Sequence, residues 1–141
     1  MSQQKTLSLK QIFRTSPEKA FRAWTEKAEI EKWYGPEGFA TKVLEIDVRV
    51  GGKYRFSMHG PEGKVVIVFG VFQEIDNPKK LVFTWNWEDA NEPETMVAVE
   101  FNPVSGGTEI TLTHSGFVSE ERKSEHNMGW SSSWNKLKQL Y

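Results

Sequence analysis

The segment from Phe39 to Ser115 constrains the fold most, because apolar and polar residues alternate along it between closely spaced turn signals. Alternation with a period of two is typical of strands that bury one face. Clusters of glycine, proline and asparagine interrupt the pattern at residues 51–52, 60–63, 76–78, 91–93 and 105–107. Connections this short join neighbouring strands as antiparallel hairpins. The segment therefore predicts a meander of antiparallel strands.

The same alternation predicts which side chains face the interior. The inward residues are expected to be Tyr54, Phe56 and Met58; Leu81, Phe83, Trp85 and Trp87; Thr95, Val97, Val99 and Phe101; and Ile110, Leu112 and His114. The run VVIVFGVF at residues 65–72 is apolar without a break. Such a run indicates a central strand that is covered on both sides for part of its length.

Helical signals precede the meander. After a first strand, LSLKQIF, Ser16 is a candidate N-cap and Pro17 suits the first helical position. Thr25 is a candidate cap for a second helix, which the glycine and proline residues at 35–38 end. Two short helices are therefore expected between the first two strands.

A long helix is predicted after the meander. Ser119 is its candidate cap, and the apolar residues Trp130, Trp134, Leu137 and Tyr141 recur at spacings of four, three and four. This stripe is expected to face the sheet. Gly129 within the helix predicts a close approach to the sheet, and Gly70 predicts a kink that lets a long strand curl.

Charge and cysteine content exclude several classes of protein. The 18 Lys and Arg balance 19 Asp and Glu, so no field of one sign attracts a nucleic acid or an anionic membrane. Without cysteine, no disulfide framework, thiolate metal site or cysteine nucleophile is available. No stretch approaches the roughly 18 apolar residues of a membrane span, and the N-terminal segment lacks a secretory pattern. We therefore expect one cytoplasmic domain over residues 1–141.

Five segments between Ser16 and Leu137 carry a resemblance to a known family. They are SPEKAFRAWTEKAEIEKWYGP, DVRVGGKYRFSMHGPEGK, FGVFQEIDNPKKLVFTWNW, GGTEITLTHSGF and HNMGWSSSWNKL. The chain resembles the SRPBCC or START-like superfamily, within it the group named for the C-terminal domain of the activator of the ninety-kilodalton heat-shock-protein ATPase. The resemblance implies an α+β helix-grip fold, in which a curved antiparallel sheet of about six or seven strands wraps a long C-terminal helix.

Aromatic residues are the main candidates for a binding site. Trp85 and Trp87 share a strand face, and Trp130 lies on the helix stripe, so all three are expected to face one interior. Phe39 and Met58 are candidate neighbours. Large aromatic side chains line apolar ligand pockets, but they also fill cores, and both interpretations remain open here.

Two histidines are candidates for chemistry. His114 ends the inward set of the last strand, and His126 lies one turn before Trp130. A pair of imidazoles beside a pocket can bind a carbonyl or carboxylate, or move a proton. The alternative is that His114 bonds a turn while His126 is solvated. No metal-ligand spacing, nucleotide fingerprint or catalytic motif is present, so no metal, cofactor or catalytic residue is assigned.

Three functions are therefore compatible with the sequence. The first is binding of a small apolar or aromatic ligand between the sheet and the terminal helix. The second is a cyclase or dehydratase that uses His114 or His126. The third, implied by the resemblance alone, is partnership with a chaperone ATPase. A homodimer through the outer sheet face or residues 86–94 is a further expectation.

Overall fold

The computed structural model describes residues 5–141, which form seven strands and three α-helices. The elements are β1 (Lys5–Phe13), α1 (Pro17–Thr25), α2 (Lys27–Trp33), β2 (Ala40–Ile46), β3 (Lys53–His59), a 3-10 turn (Pro61–Gly63), β4 (Val65–Asp76), β5 (Lys80–Trp87), β6 (Thr95–Val104), β7 (Gly107–Phe117) and α3 (Glu120–Gln139). The strands form one antiparallel sheet in the order β1-β7-β6-β5-β4-β3-β2. The predicted α+β helix-grip fold is confirmed.

The first helix begins as predicted. The Oγ atom of Ser16 accepts a hydrogen bond from the backbone N–H of Lys19 at 3.2 Å, and Pro17 occupies the first turn. Phe21 and Trp24 are buried on its inner face. Because a capped first turn fixes where the helix starts, it also fixes the direction in which these rings enter the core.

The predicted cap of the second helix is wrong. The cap residue of α2 is Glu26, which makes no side-chain capping bond, and Thr25 is the last residue of α1. The Thr25 hydroxyl instead donates to the carbonyl oxygen of Phe21 at 3.0 Å, within α1. A threonine hydroxyl that bonds back to the carbonyl four residues earlier is not free to cap the next helix.

The final helix packs its predicted stripe against the sheet. Trp130, Trp134 and Leu137 are buried, while Tyr141 lies beyond the helix end and packs partly buried against the core. The Oγ atom of Ser119 caps the helix by accepting from the Arg122 backbone N–H at 3.1 Å. Trp134 meets Phe13 edge to face, with ring centroids 5.4 Å apart, and so closes one end of the interior.

The apolar strand β4 is covered fully on one side only. Val68, Gly70 and Phe72 are buried, whereas alternate residues such as Phe69 are half-buried on the outer face. The expectation of cover on both sides is therefore met only in part. A Cβ atom at Gly70 would collide with the Thr84 carbonyl oxygen, so this position requires glycine for close strand approach.

Within residues 5–141, no helix combines the length and the apolar composition that a membrane span requires.

Candidate ligand site

A cavity of about 370 Å³ lies between strands β3 to β5, the segment after α2, and α3. Its volume falls within the range of small-molecule pockets. The wall is mostly apolar, with charged residues added from α3 and the segment after β5. Its lining residues are Tyr34, Gly35, Pro36, Met58, Val66, Ile67, Trp85, Trp87, Asp89, Ala90, Arg122, Glu125, His126, Gly129, Trp130 and Ser133.

Four large aromatic side chains form much of this wall. Trp85 is at the centre, with its ring centroid 4.9 Å from that of Trp130 and 5.5 Å from that of Trp87. Tyr34 stacks beside Trp85 at 6.3 Å and meets Trp130 edge to face at 5.7 Å. Rings in mutual contact have few alternative rotamers, so the wall is held in one shape before any ligand arrives.

None of the three indole N–H groups of this wall is available to a ligand. That of Trp130 donates to His114 at 3.1 Å, and that of Trp87 donates to His126 at 3.0 Å. That of Trp85 is fully enclosed and has no partner among the described residues. The tryptophans therefore present carbon surface to the cavity.

The structure brings five of the predicted site residues together and leaves two aside. Met58, Trp85, Trp87, His126 and Trp130 all line the cavity. Phe39 does not line it: a Cβ atom at Gly60 would lie 2.5 Å from its ring, so Phe39 packs over that glycine. His114 lies behind Trp130 and is 0% exposed.

His114 is a buried neutral imidazole. Its Nδ1 atom accepts from Trp130, so Nε2 carries the proton and donates to the Thr95 hydroxyl at 2.7 Å. Thr95 in turn donates to the carbonyl oxygen of Trp85 at 3.1 Å. Burial lowers the pKa of His114 to about 2, and His126 acts in the same direction. Its partners are thus an indole and a threonine rather than a turn.

His126 is half-buried and is held from both sides. Its Nε2 atom accepts from Trp87, so Nδ1 carries the proton and donates to the Arg122 carbonyl oxygen at 2.7 Å. Burial is the main cause that lowers the pKa of His126, and the hydrogen bond to Arg122 opposes it. Both ring nitrogens of each histidine are therefore occupied by protein groups, and the solvated alternative for His126 is not observed.

Arg122 ties the segment after β5 to the start of α3. Its Nε and Nη2 atoms donate to the two carboxylate oxygens of Glu92 at 2.8 and 3.0 Å, and Nη1 donates to Glu125 at 2.7 Å. A two-pronged pair of this kind fixes orientation as well as distance. Residues 88–94 are thereby held across one side of the cavity mouth, where Asp89 and Ala90 line it.

Gly129 leaves open space where a side chain would stand. It lies between His126 and Ser133 on the stripe of α3 that lines the cavity, and a Cβ atom there would meet no atom within 4 Å. The prediction that this glycine serves close packing against the sheet is wrong. A residue with a side chain at this position would project into the cavity.

Sequence reasoning missed several lining residues. Arg122, Gly129 and Ser133 were missed, although with the predicted His126 they recur at spacings of four, three and four, a second stripe beside the tryptophan stripe that could have revealed them. Tyr34 offered no such signal, because it follows α2 in an irregular segment. In the described part of the chain, no group of three or more histidine, aspartate or glutamate side chains is arranged to hold a metal ion.

Comparison with known proteins agrees with the resemblance inferred from the motifs. The sequence profile of the family described as Activator of Hsp90 ATPase homolog 1-like protein matches residues 14–141. A comparison with curated proteins gives no match. The predicted resemblance is confirmed over nearly the whole chain.

Solved structures share the fold over almost their full length. A protein from Chromobacterium violaceum is 28% identical, covers 96% of this chain and 95% of its own, and has a TM-score of 0.88. The AHSA1 protein from Silicibacter pomeroyi is also 28% identical, with 96% of each chain covered and a TM-score of 0.86. A protein from Nitrosomonas europaea is 27% identical, with 96% and 92% covered and a TM-score of 0.81.

Proposed function

We propose that this chain, which belongs to the family of Activator of Hsp90 ATPase homolog 1-like proteins, is a small-molecule binding protein. Its ligand is apolar or aromatic and is held between the sheet and α3. The observation that carries the proposal is the cavity of about 370 Å³ with Tyr34, Trp85, Trp87 and Trp130 in its wall. A preformed apolar cavity with few polar groups is the usual form of a ligand site.

The free energy gained by burying apolar ligand surface limits how small the ligand can be. Burial of about 200 Å² of apolar ligand surface contributes about 5 kcal/mol. Association itself costs about 4 kcal/mol or more in lost motion. A ligand that fills only part of the cavity would therefore bind weakly, so we expect a molecule that contacts most of the four rings at once.

The stability cost of Gly129 in the middle of α3 also supports the proposal. Glycine in a helix interior costs about 1 kcal/mol relative to alanine. No neighbouring atom in the described structure requires it, since a Cβ atom would meet open space. Leaving room in the cavity is a use of this position that would offset that cost.

The histidine-based enzyme gains no support from the site. His114 is enclosed behind Trp130, and each ring nitrogen of His126 already holds a protein partner. A general base must reach the proton that it removes. We therefore propose binding alone.

The proposal is tested by filling the cavity. A library of lipids, flavonoids and polyketides is screened by thermal shift against the wild-type protein and against Gly129→Phe, whose new ring would occupy the space beside His126 and Ser133. Met128→Phe is the matched control, because Met128 is 69% exposed on the adjacent position of the same helix.

We expect ligands that raise the melting temperature of the wild type and of Met128→Phe, with no effect on Gly129→Phe. Ligands that stabilise all three proteins equally would place binding elsewhere. A library without any ligand for the wild type would contradict the proposal.

A further inference from the structure

Carboxylates outnumber cations at the cavity mouth. Asp89, Glu125 and Arg122 line it, and Glu92 holds Arg122, so three carboxylates face one guanidinium, a sum of −2. Asp89 forms no ion pair in the part of the chain that the structure describes. Both neighbouring histidines are neutral, as their hydrogen bonds require. The mouth therefore favours positive charge.

Arg122 does not reverse this preference. Three of its donor bonds go to the carboxylates of Glu92 and Glu125. An anionic ligand would have to displace one of those carboxylates, which would then remain near the ligand with the same sign of charge. Arg122 therefore orients these carboxylates and leaves few hydrogen-bond donors for an anionic ligand.

The aromatic wall of the cavity also favours a positively charged ligand. The π face of an indole or a phenol ring carries negative charge and attracts a cation within about 6 Å of the ring. The indole N–H groups, whose positive ends would repel a cation, are bonded or enclosed. What the cavity presents is the carbon surface of the rings.

Tyr34 provides an independent sign that a ligand with a polar group belongs here. Its side chain lines the cavity and the residue is only 3% exposed, yet its hydroxyl has no hydrogen-bond partner among residues 5–141. Tyr34 is a lining residue of the cavity, and its hydroxyl oxygen is not among the fully enclosed unpaired atoms of the described residues. A buried hydroxyl without a partner costs stability unless a bound molecule supplies one.

We propose that the ligand is an organic cation, an apolar or aromatic body that carries a protonated amine, with the amine between the aromatic wall and the carboxylates of Asp89 and Glu125. This inference rests on the proposed function and names the ligand class for the same cavity. The body contacts Trp85 and Trp130, and the hydroxyl of Tyr34 is available to a polar group of the ligand.

Three probes with one aromatic body test the inference: 2-(2-naphthyl)ethylamine, 2-(2-naphthyl)ethanol and 2-naphthylacetate. Their dissociation constants are measured by calorimetry at pH 7 with the wild type, Asp89→Asn, Glu109→Gln and Gly129→Phe. Glu109→Gln removes the same charge from β7 and is the control for net charge, since Glu109 does not line the cavity.

We expect the amine to bind at least tenfold more tightly than the alcohol, and the carboxylate to bind weakest. Asp89→Asn should weaken the amine alone by about three- to tenfold, and added salt should act in the same way, because exposed charges are screened. Glu109→Gln should change nothing, and Gly129→Phe should abolish all binding.

Different results overturn different claims. Equal affinities, or tightest binding of the carboxylate, with all binding lost in Gly129→Phe, would overturn the organic cation and leave the binding site intact. Absence of binding by all three probes, or binding that survives Gly129→Phe, would overturn the cavity as a ligand site and the cation inference with it.

Discussion

At the scale of single residues, two indole–imidazole hydrogen bonds hold the aromatic wall. Trp130 donates to His114 and Trp87 donates to His126, so each imidazole must offer an unprotonated nitrogen. A protonated imidazole has only donors and would face the indole N–H with a second N–H. The shape of the wall therefore depends on both histidines remaining neutral.

This dependence predicts that stability falls as the pH is lowered. The folded-state pKa of His114 lies at about 2, below its ordinary value of 6.5. Between these two values, His114 binds a proton in the unfolded state but not in the folded state. The contribution of His114 to the free energy of unfolding is therefore fully present above pH 6.5 and declines as the pH falls below it. Between pH 6.5 and 5, His114 should contribute a loss of about 1.5–2 kcal/mol in the free energy of unfolding, and His126 acts in the same direction.

The measurement is urea unfolding at pH 7, 6.5, 6, 5.5 and 5 for the wild type and for His114→Gln. Glutamine keeps an acceptor for Trp130 and a donor for Thr95 but does not titrate. The variant should lose the share of the pH dependence that His114 contributes, about 1.5–2 kcal/mol between pH 6.5 and 5. An equal slope in both proteins would show that His114 is not a buried neutral group.

Tyr34→Phe separates stability from binding. The Tyr34 hydroxyl has no protein partner to lose and is costly to bury unpaired, so the free energy of unfolding without ligand should stay the same or rise by up to about 1 kcal/mol. Affinity for 2-(2-naphthyl)ethylamine should fall, because the ligand loses a hydrogen-bonding group in the cavity. A loss of stability above about 1 kcal/mol would reveal a partner within the protein.

The residues that sequence reasoning found are those with a periodic position. Trp85 and Trp87 follow from strand alternation, and Trp130 from helical spacing. Whether such residues fill a core or line a cavity could not be predicted from the sequence, because the volume left between the sheet and α3 depends on how the sheet curves. Phe39 shows this limit: its neighbour in space is Gly60, which lies on the far side of β2 and β3 in the chain.

At the scale of elements, the segment at residues 88–94 is joined to α3 through Arg122. The pair with Glu92 is partly exposed, at 30% and 27% for the two side chains. Replacing Arg122 by Met should therefore lower the free energy of unfolding by no more than about 1 kcal/mol. Amide hydrogen exchange at residues 88–94 should nevertheless accelerate, since the segment loses its ionic link to the helix.

The control for this variant is Arg49→Met, which removes an exposed pair with Asp47 away from the cavity. Its exchange rates at residues 88–94 should match those of the wild type. Unchanged exchange in Arg122→Met would mean that other contacts hold the segment.

Alanine substitutions at two glycines in different elements should have opposite effects on the free energy of unfolding. Gly129→Ala adds a methyl group into open space on a helix and should stabilise the protein by about 0.5–1 kcal/mol. Gly70→Ala would drive a methyl group into the Thr84 carbonyl and within 2.7 Å of the Tyr54 ring, so it should destabilise by more than about 1 kcal/mol. Denaturant melts measure both. A stabilising Gly70→Ala would contradict the strand geometry.

Element boundaries were predictable where a local signal decides them. Ser16 and Ser119 cap the helices that the sequence assigned to them. The prediction for Thr25 failed, because its buried hydroxyl donates to the Phe21 carbonyl oxygen within α1. The open space beside Gly129 could not be predicted either, since the distance between helix and sheet at that point depends on the whole fold.

At the scale of the whole molecule, the sheet wraps α3 and leaves the two ends of the interior different. One end is filled, where Trp134 packs against Phe13. The other end retains the cavity beside Trp130. The order of helices and strands was predictable because every connection is short. The unequal filling was not, because it arises from side chains on elements far apart in the sequence.

The indole N–H resonances of the six tryptophans offer the most direct test of cavity binding. The neutral probe 2-(2-naphthyl)ethanol is titrated into ¹⁵N-labelled protein, so the outcome does not depend on ligand charge. The resonances of Trp85, Trp87 and Trp130 should shift together and saturate at one affinity, because these rings line the cavity. Those of Trp33 and Trp134, which do not line it, should stay in place. Shifts as large at Trp33 and Trp134, or no shift at the three cavity tryptophans, would contradict a ligand site between the sheet and α3.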